Sequence, residues 1–335
     1  MADLLEDLVD ARIAWISGVL RSWYAESALK QNLRTAMSVE EDRVGNVDFG
    51  RAFRDGVGLH PESDPFDWTN RRLDLPGGGW ALAGIRYRGG DTLRPFVDVV
   101  ATTEPATPDG LSRVAGVVVP AYTAFAPLCL RVDAPDPAGL VGLLEADERF
   151  GPGCAVDMYV VAGPVEELRD QSRASAYDRV RLRAGDPGPL AERVADVYAE
   201  LVAQRPEHAQ WANPEDVESL TACAEEGLLF EVLVDRVPAG VVASVRYDAH
   251  GMTGFSVQEL CLDATHRGRH VAAAAMQRLV DELPAEDDDV LWGTIHPGNV
   301  PSLRNALSVG RVVVGGYVWV TPRGLPGMVG SVTPG

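Results

Sequence analysis

The chain has 335 residues, which suits two domains at about 150 residues each better than one. Hydrophobic residues make up 46% and charged residues 24%, the composition of a soluble globular protein with a full core. With 49 Asp+Glu against 30 Lys+Arg the formal net charge is -19, and no basic patch offsets it, so nucleic acid is excluded as an expected partner.

The N-terminus, MADLLEDLVDARIAWISG, carries acidic residues where a signal peptide is basic, and no apolar run is long enough to span a bilayer. The expectation is a cytoplasmic protein with no membrane association. Cys129, Cys154, Cys223 and Cys261 are scattered without a C-x-x-C pair, which reads as four buried thiols rather than a zinc site or disulfide framework. His266 and His270 sit four apart with no third ligand in view, so no metal is expected.

In chain order, apolar residues at helical spacing from Leu4 to Tyr24 predict an opening amphipathic helix. Glu41 to Gly79, rich in Gly, Pro, Asp and Arg, reads as irregular. Strand-like runs follow at 80–88, 96–102 and 128–132, then a helix at 138–144 and a strand at 155–161. This describes an N-terminal α/β domain over 1–170. The charged segment from Glu166 to Ala176 reads as a linker.

The second half, 177–322, is more regular. Tyr177 to Arg183 alternates as a strand, and Pro189 to Gln204 forms an amphipathic helix with Leu190, Val194, Val197 and Leu201 on one face. A further helix begins at Asn213-Pro214, with Asn213 as its cap, and Gly227 stops it. Strands at 229–234, 240–247 and 255–262 precede an alanine-rich helix at 270–283. A strand at 290–295, a helix at 302–309 and a strand at 312–320 complete the order β-α-α-β-β-β-α-β-α-β, and 323–335 reads as a flexible tail.

One junction carries chemistry. A strand runs through Glu259-Leu260-Cys261-Leu262, and a short loop with Arg267, Gly268 and Arg269 leads into a helix with no acidic residue in its first turn. Free amides and the positive dipole end at such a helix start form an anion site, and flanking arginines add charge-assisted bonds. A pyrophosphate is the fitting ligand.

In context, Arg267-Gly-Arg-His-Val-Ala272 resembles the R/Q-x-x-G-x-G/A loop of the GNAT superfamily of N-acetyltransferases. Asn299, Ser302 and Gly310 are in register with that family's second motif. The resemblance covers Tyr177 to Pro322. It implies the GNAT fold: an α/β architecture with a mixed, mostly antiparallel central sheet, splayed between its fourth and fifth strands and flanked by helices. It implies acetyl-coenzyme A, or another acyl-coenzyme A, as co-substrate. Its arm would lie along Leu260, Cys261 and Leu262. Its pyrophosphate would rest on Arg267, Gly268, Arg269, His270, Val271 and Ala272, with Asn299 and Ser302 near the sulfur.

The implied reaction is direct attack of a small-molecule amine on the thioester, which needs orientation, an oxyanion donor and a route for the amine proton. Glu259 is the candidate base, the alternative being a carboxylate that ties down a neighbouring strand or loop. His296 is a second candidate, the alternative being an imidazole bonded to the Gly298-Asn299 turn. The sequence departs from the family at His270, where the family has glycine, and at Ala306, where a tyrosine commonly serves as general acid; Ser302 or water is the substitute donor.

The N-terminal half repeats part of the same order, which implies a tandem arrangement similar to that of mycothiol synthase and other two-domain members. Asp133-Ala-Pro-Asp-Pro137 stands after Val132 in place of a phosphate loop, so this half reads as a degenerate copy without cofactor. It would wall the acceptor site or mediate packing, with Trp68, Trp80, Arg86 and Tyr87 as lining candidates. A homodimer is carried as a further expectation. Two other readings stay open for the whole chain: a coenzyme A-binding sensor or scaffold without turnover, and altered acyl chemistry such as decarboxylation or an acyl carrier protein donor.

Overall fold

The computed structural model describes residues 3–59, 62–210 and 212–328. Helix α1 (Leu4–Ala14) is capped by the Asp3 carboxylate. The single opening helix read from the sequence is broken after Trp15, because the Ser17 hydroxyl accepts from the Leu20 amide and starts α2 (Gly18–Trp23). Helix α3 (Glu26–Asp42) and helix α4 (Val47–Val57) extend into the stretch expected to be irregular. Asn46 caps α4 and left-handed Gly58 ends it, two signals that its Gly-, Asp- and Arg-rich composition masked. Gly50 lets α4 approach the next turn, since a Cβ there would lie 2.0 Å from the Pro65 carbonyl oxygen.

Strands β1 (Arg71–Asp74), β2 (Trp80–Tyr87) and β3 (Pro95–Thr102) follow, then helix α5 (Pro108–Ala121), β4 (Leu130–Ala134), α6 (Pro137–Glu145) and β5 (Ala155–Pro164). The sequence reading missed α5. The segment read as a linker contains α7 (Val165–Arg169) and is held to the body by Arg169 Nη2 donating to the Leu283 carbonyl at 2.7 Å and the Ala174 amide donating to Gln277 at 2.8 Å.

The remaining elements are β6 (Val180–Ala184), α8 (Pro187–Gln204), α9 (Val217–Glu225), β7 (Leu229–Val234), β8 (Val237–Arg246), β9 (Gly254–Leu262), α10 (Val271–Glu282), β10 (Val290–Ile295), α11 (Val300–Ser308) and β11 (Val312–Val320). This is the order read from the sequence. Helix α9 begins later than expected: Asp216, not Asn213, caps it, accepting from the Ser219 amide. Among the described residues no helix is long and apolar enough to cross a membrane. All four cysteines are buried and free of disulfides.

The chain forms two compact units, one from described residues of 1–159, 249–251 and 314–335, the other from 160–248 and 252–313. In the first unit strands run in the order β1-β2-β3-β4-β11. β1/β2, β2/β3 and β4/β11 are antiparallel and β3/β4 is parallel. β11 was expected within a 177–322 domain; it pairs instead with β4, from Gly316↔Ala134 to Val320↔Leu130. Of the expected tail, Arg323–Met328 is described, and Met328 is buried against Phe96 and Trp319; 329–335 lie outside the described residues.

In the second unit the order is β10-β9-β8-β7-β6, antiparallel throughout except for the parallel β9/β10 pair. One face of this sheet packs on α10, with Met276, Leu279 and Val280 at the centre, and the other packs on α8 and α9 through Leu190, Val194 and Leu220.

The two units share a local plan. β1-β2-β3, α5, β4 and α6 follow the same order and pairing senses as β7-β8-β9, α10, β10 and α11. Each third strand carries a bulge against its antiparallel neighbour, at Val100 in β3 and Gln258 in β9. The structural counterpart of the Arg267–Ala272 loop is therefore Thr103–Thr107, ahead of α5, and not Asp133–Pro137, where the sequence reading placed it.

Candidate active site

The site is built by a fork. β9 and β10 pair in parallel from Val290↔Gly254 to Trp292↔Ser256, and no further pairing follows, so Val257–Leu262 and Gly293–Ile295 diverge. Close by, β9 takes its bulge: Ala243 faces Glu259 while Ser244 faces Val257, leaving Gln258 as the extra residue. The bulge changes which side chains face which layer. In an unbroken strand Glu259 and Cys261 would share a face with Phe255 and Val257. With Gln258 inserted, Phe255, Val257, Leu260 and Leu262 face the α10 layer, and Cys261 faces α8 and α9.

Glu259 goes the same way and meets Tyr198 of α8, whose hydroxyl donates to Oε1 at 3.2 Å. The carboxylate is 3% exposed, and its second oxygen has no hydrogen-bond partner. Burial pushes its pKa up to about 7, against the opposing pull of the nearby Glu215 backbone and the Tyr198 hydroxyl. A carboxyl poised near neutrality beside an open strand edge suits proton transfer.

Beyond β9 the Asp263 amide bonds the Ala239 carbonyl at 2.9 Å, and Arg193 of α8 braces the Asp263 carboxylate. Gly240 permits the close pairing here, since a Cβ would lie 2.1 Å from the Cys261 carbonyl oxygen. Arg267 folds back, Nε donating to the Leu262 carbonyl at 2.9 Å. That carbonyl was expected to meet the pantetheine arm; it already carries one bond, and Arg267 shapes the loop from within it.

Gly268 and His270 both have positive φ, +71° and +59°. His270 is the N-cap of α10, with no side chain bonding the first-turn amides and no acidic residue in that turn. The backbone thus holds at His270 the left-handed conformation that favours glycine, the residue the motif has there. The amides of Val271 and Ala272 open α10 uncapped, the arrangement an anion needs.

On the other arm of the fork His296 is 3% exposed; its Nδ1 accepts from the Gly298 amide at 3.1 Å and its carbonyl from the Asn299 amide at 2.8 Å. Asn299 caps α11, Oδ1 accepting from the Ser302 amide at 3.2 Å. The structure thus supplies the turn-shaping role weighed for His296, and a capping role for Asn299. Ser302 is half-buried at the start of α11. Ala306, which stands where the resemblance implies a tyrosine, is fully buried.

No protein-family model matches the sequence, and no curated protein matches it. Solved structures similar to the chain include a GCN5-related N-acetyltransferase from Sphaerobacter thermophilus, 14% identical, covering 88% of this chain and 96% of its own, with a TM-score of 0.46. A GCN5-related N-acetyltransferase from Kribbella flavida is 14% identical, covering 83% and 95%, with a TM-score of 0.40. A conserved protein of unknown function from Bacteroides thetaiotaomicron is 12% identical, covering 75% and 85%, with a TM-score of 0.42. No residue role is carried over from them.

Sequence reasoning missed Tyr198. It stands four residues after Val194 on the buried side of α8, and that spacing was the available signal. The bulge at Gln258 left no mark in the sequence. Among the described residues no cluster of His, Cys, Asp or Glu could hold a metal ion.

Proposed function

We propose that the C-terminal half is an acyl-coenzyme A-dependent N-acyltransferase of the GNAT superfamily that acts on the amine of a small molecule. The observation that supports it most is the fork: β9 leaves β10 after Ser256, and the same strand runs into an uncapped helix start at His270. These features fit a ligand with an amide-bearing arm and a pyrophosphate. The arm lies along Leu260–Leu262, and the pyrophosphate takes the amides from Gly268 to Ala272. Bound acetyl-coenzyme A supplies the acyl group as a thioester for direct attack by the acceptor amine.

Glu259 takes the amine proton, and Tyr198 orients its carboxylate. With Ala306 in place of a tyrosine, proton delivery to the departing sulfur falls to Ser302 or to water. The N-terminal half is a second copy of the same plan that has lost the cofactor. At its counterpart loop the Thr107 hydroxyl caps α5 by accepting from the Gly110 amide, and Glu104 and Asp109 are paired with Arg113 and Arg149, so this helix start is already satisfied.

Calorimetric titration with acetyl-coenzyme A, followed by thiol release with a panel of amines, tests this reading. The expected result is binding of coenzyme A and its acetyl ester together with amine-dependent thiol release. Absence of affinity for any acyl-coenzyme A overturns it. The buried Ala306 favours a second reading, a binder without turnover, which predicts calorimetric affinity with no thiol release above background.

A further inference from the structure

Arg311 lies between α11 and β11, and nothing in the function proposed above uses it. It is 4% exposed. Its Nε has no hydrogen-bond partner, and among the described residues no salt bridge and no side-chain hydrogen bond holds its guanidinium. By contrast Asp289, 2% exposed, takes both Nη atoms of Arg246 at 2.9 Å, and Glu259 accepts one bond from Tyr198. Burial alone, with no neighbouring charge contributing, lowers the Arg311 pKa to about 10. A guanidinium removed from water without an anion is among the most costly groups a fold can hold.

Its position gives the reason for tolerating that cost. A Cβ built on Gly293 would lie 3.7 Å from Arg311 Nη1 and 3.6 Å from the Cβ of Val257. Gly293 and Val257 are the first residues beyond the last pair of the fork, Trp292↔Ser256. The guanidinium therefore stands beside the apex where β9 and β10 separate, and with no side chain at Gly293 only backbone lies between it and the fork on that side. Val257 faces the α10 layer and Glu259, two residues along β9, faces the α8 layer, so the unpaired cation and the candidate base flank the open stretch of β9 from its two faces.

We propose that Arg311 binds a carboxylate carried by the ligand at the apex of the fork. This rests on the reading of the fork as an acyl-coenzyme A site. Two sources share that chemistry: an acyl group ending in a carboxylate, as in malonyl or succinyl thioesters, or an acceptor amine that also bears a carboxylate, as an amino acid does. A planar guanidinium with free donors matches a carboxylate with paired, charge-assisted hydrogen bonds, and a neutral acetyl methyl offers none.

The test uses the full chain. Acetyl-, malonyl- and succinyl-coenzyme A are titrated calorimetrically into wild type, Arg311→Met and Arg311→Lys. In parallel, thiol release from acetyl-coenzyme A is measured with amino acids and with the matching amines that lack the carboxylate. A carboxylate-bearing acyl donor is expected to bind wild type at least about tenfold more tightly than acetyl-coenzyme A, or amino acids to exceed their decarboxylated counterparts in kcat/KM by the same factor. The arm that shows the preference identifies the source.

Arg311→Met removes the preference while leaving affinity for acetyl-coenzyme A within about threefold, and Arg311→Lys retains part of it. Wild type that binds acetyl-coenzyme A yet shows neither preference overturns the proposal, as does a preference that survives in Arg311→Met. The wild-type arms decide the matter even if the methionine variant fails to fold. No affinity for any coenzyme A thioester, by contrast, is failure of the underlying acyltransferase reading.

Discussion

Replacing Glu259 with Gln tests the electrostatics of the site and its chemistry together. In the folded chain burial lifts this carboxyl from the ordinary 4.5 to about 7. Between those pH values the folded protein keeps a proton that the unfolded chain gives up, so stability falls as pH rises through the window. At about 1.4 kcal/mol for each pH unit the displacement amounts to about 3 kcal/mol. Glutamine stays neutral and its amide oxygen still accepts from Tyr198, so the variant lacks this fall. Urea unfolding of both proteins at pH 4, 5, 6, 7 and 8 measures it. The stability of Glu259→Gln relative to wild type should climb across the series by up to about 3 kcal/mol, nearly all of it between pH 4.5 and 7. Its thiol release with amines should drop by about a hundredfold or more, with coenzyme A affinity unchanged. A stability difference that stays flat from pH 4 to pH 8 refutes the claim that Glu259 titrates near neutrality, and with it the case for Glu259 as base.

Tyr198→Phe removes the hydroxyl that favours the ionised carboxyl, so the acidic limb of the kcat/KM profile should move to higher pH, read from rates between pH 5 and 9. Ala272→Asp puts an acid in the uncapped first turn of α10; thermal stability should hold or rise slightly while coenzyme A affinity falls by at least about tenfold in calorimetry. His270 sits at φ +59°, so His270→Gly should change stability by under about 1 kcal/mol, while branched His270→Val should cost about 1–2 kcal/mol in denaturant unfolding. Arg12→Met strips the part-buried Asp133 carboxylate of its nearest cation, with His250 left beside it, and should cost about 1–3 kcal/mol by the same measurement.

What was legible in the sequence follows from how local each signal is. The strands from Leu229 to Val320 show their alternation within a few residues, and their boundaries agree with the structure to within a few residues. The α10 loop was legible because its meaning lies in an absence, no acid and no cap after Gly268, which a string of residues displays. Helix α5 was not, because its run of Val117, Val118 and Val119 carries strand propensity, which the Thr107 cap and packing against the sheet override. With α5 unseen, the comparison between the two halves slipped by one element and settled on Asp133 instead of Thr103–Thr107. The face that Glu259 points to, and the solitude of Arg311, depend on a bulge and on the ending of a strand pair. Both are properties of partners far apart in the chain.

The two forks within one chain act as each other's control. In the first unit β3 leaves β4 after Val99↔Val132, beside the bulge at Val100, just as β9 leaves β10. There Arg12 of α1 and Trp15 at its C-cap line a small cavity with Val99, Ala101, Thr102, Val132 and Asp133. Burial would raise the Asp133 carboxyl, but Arg12 and His250 hold it well below the usual range, and the Trp15 indole donates to the Glu104 carbonyl at 3.1 Å. Every charge in that fork is answered by the protein, and its helix start is capped. In the second unit the helix start is open and the arginine at the apex has no anion. The same local plan has its polar groups paired in one unit and unpaired in the other, and the unpaired groups, first-turn amides at one end and a guanidinium at the other, are both cationic in character. On the reading proposed above, a ligand that pairs with both is anionic at both ends of the fork. On that reading acetyl-coenzyme A answers the amides alone, and the carboxylate proposed for Arg311 belongs to the acyl group or to the acceptor.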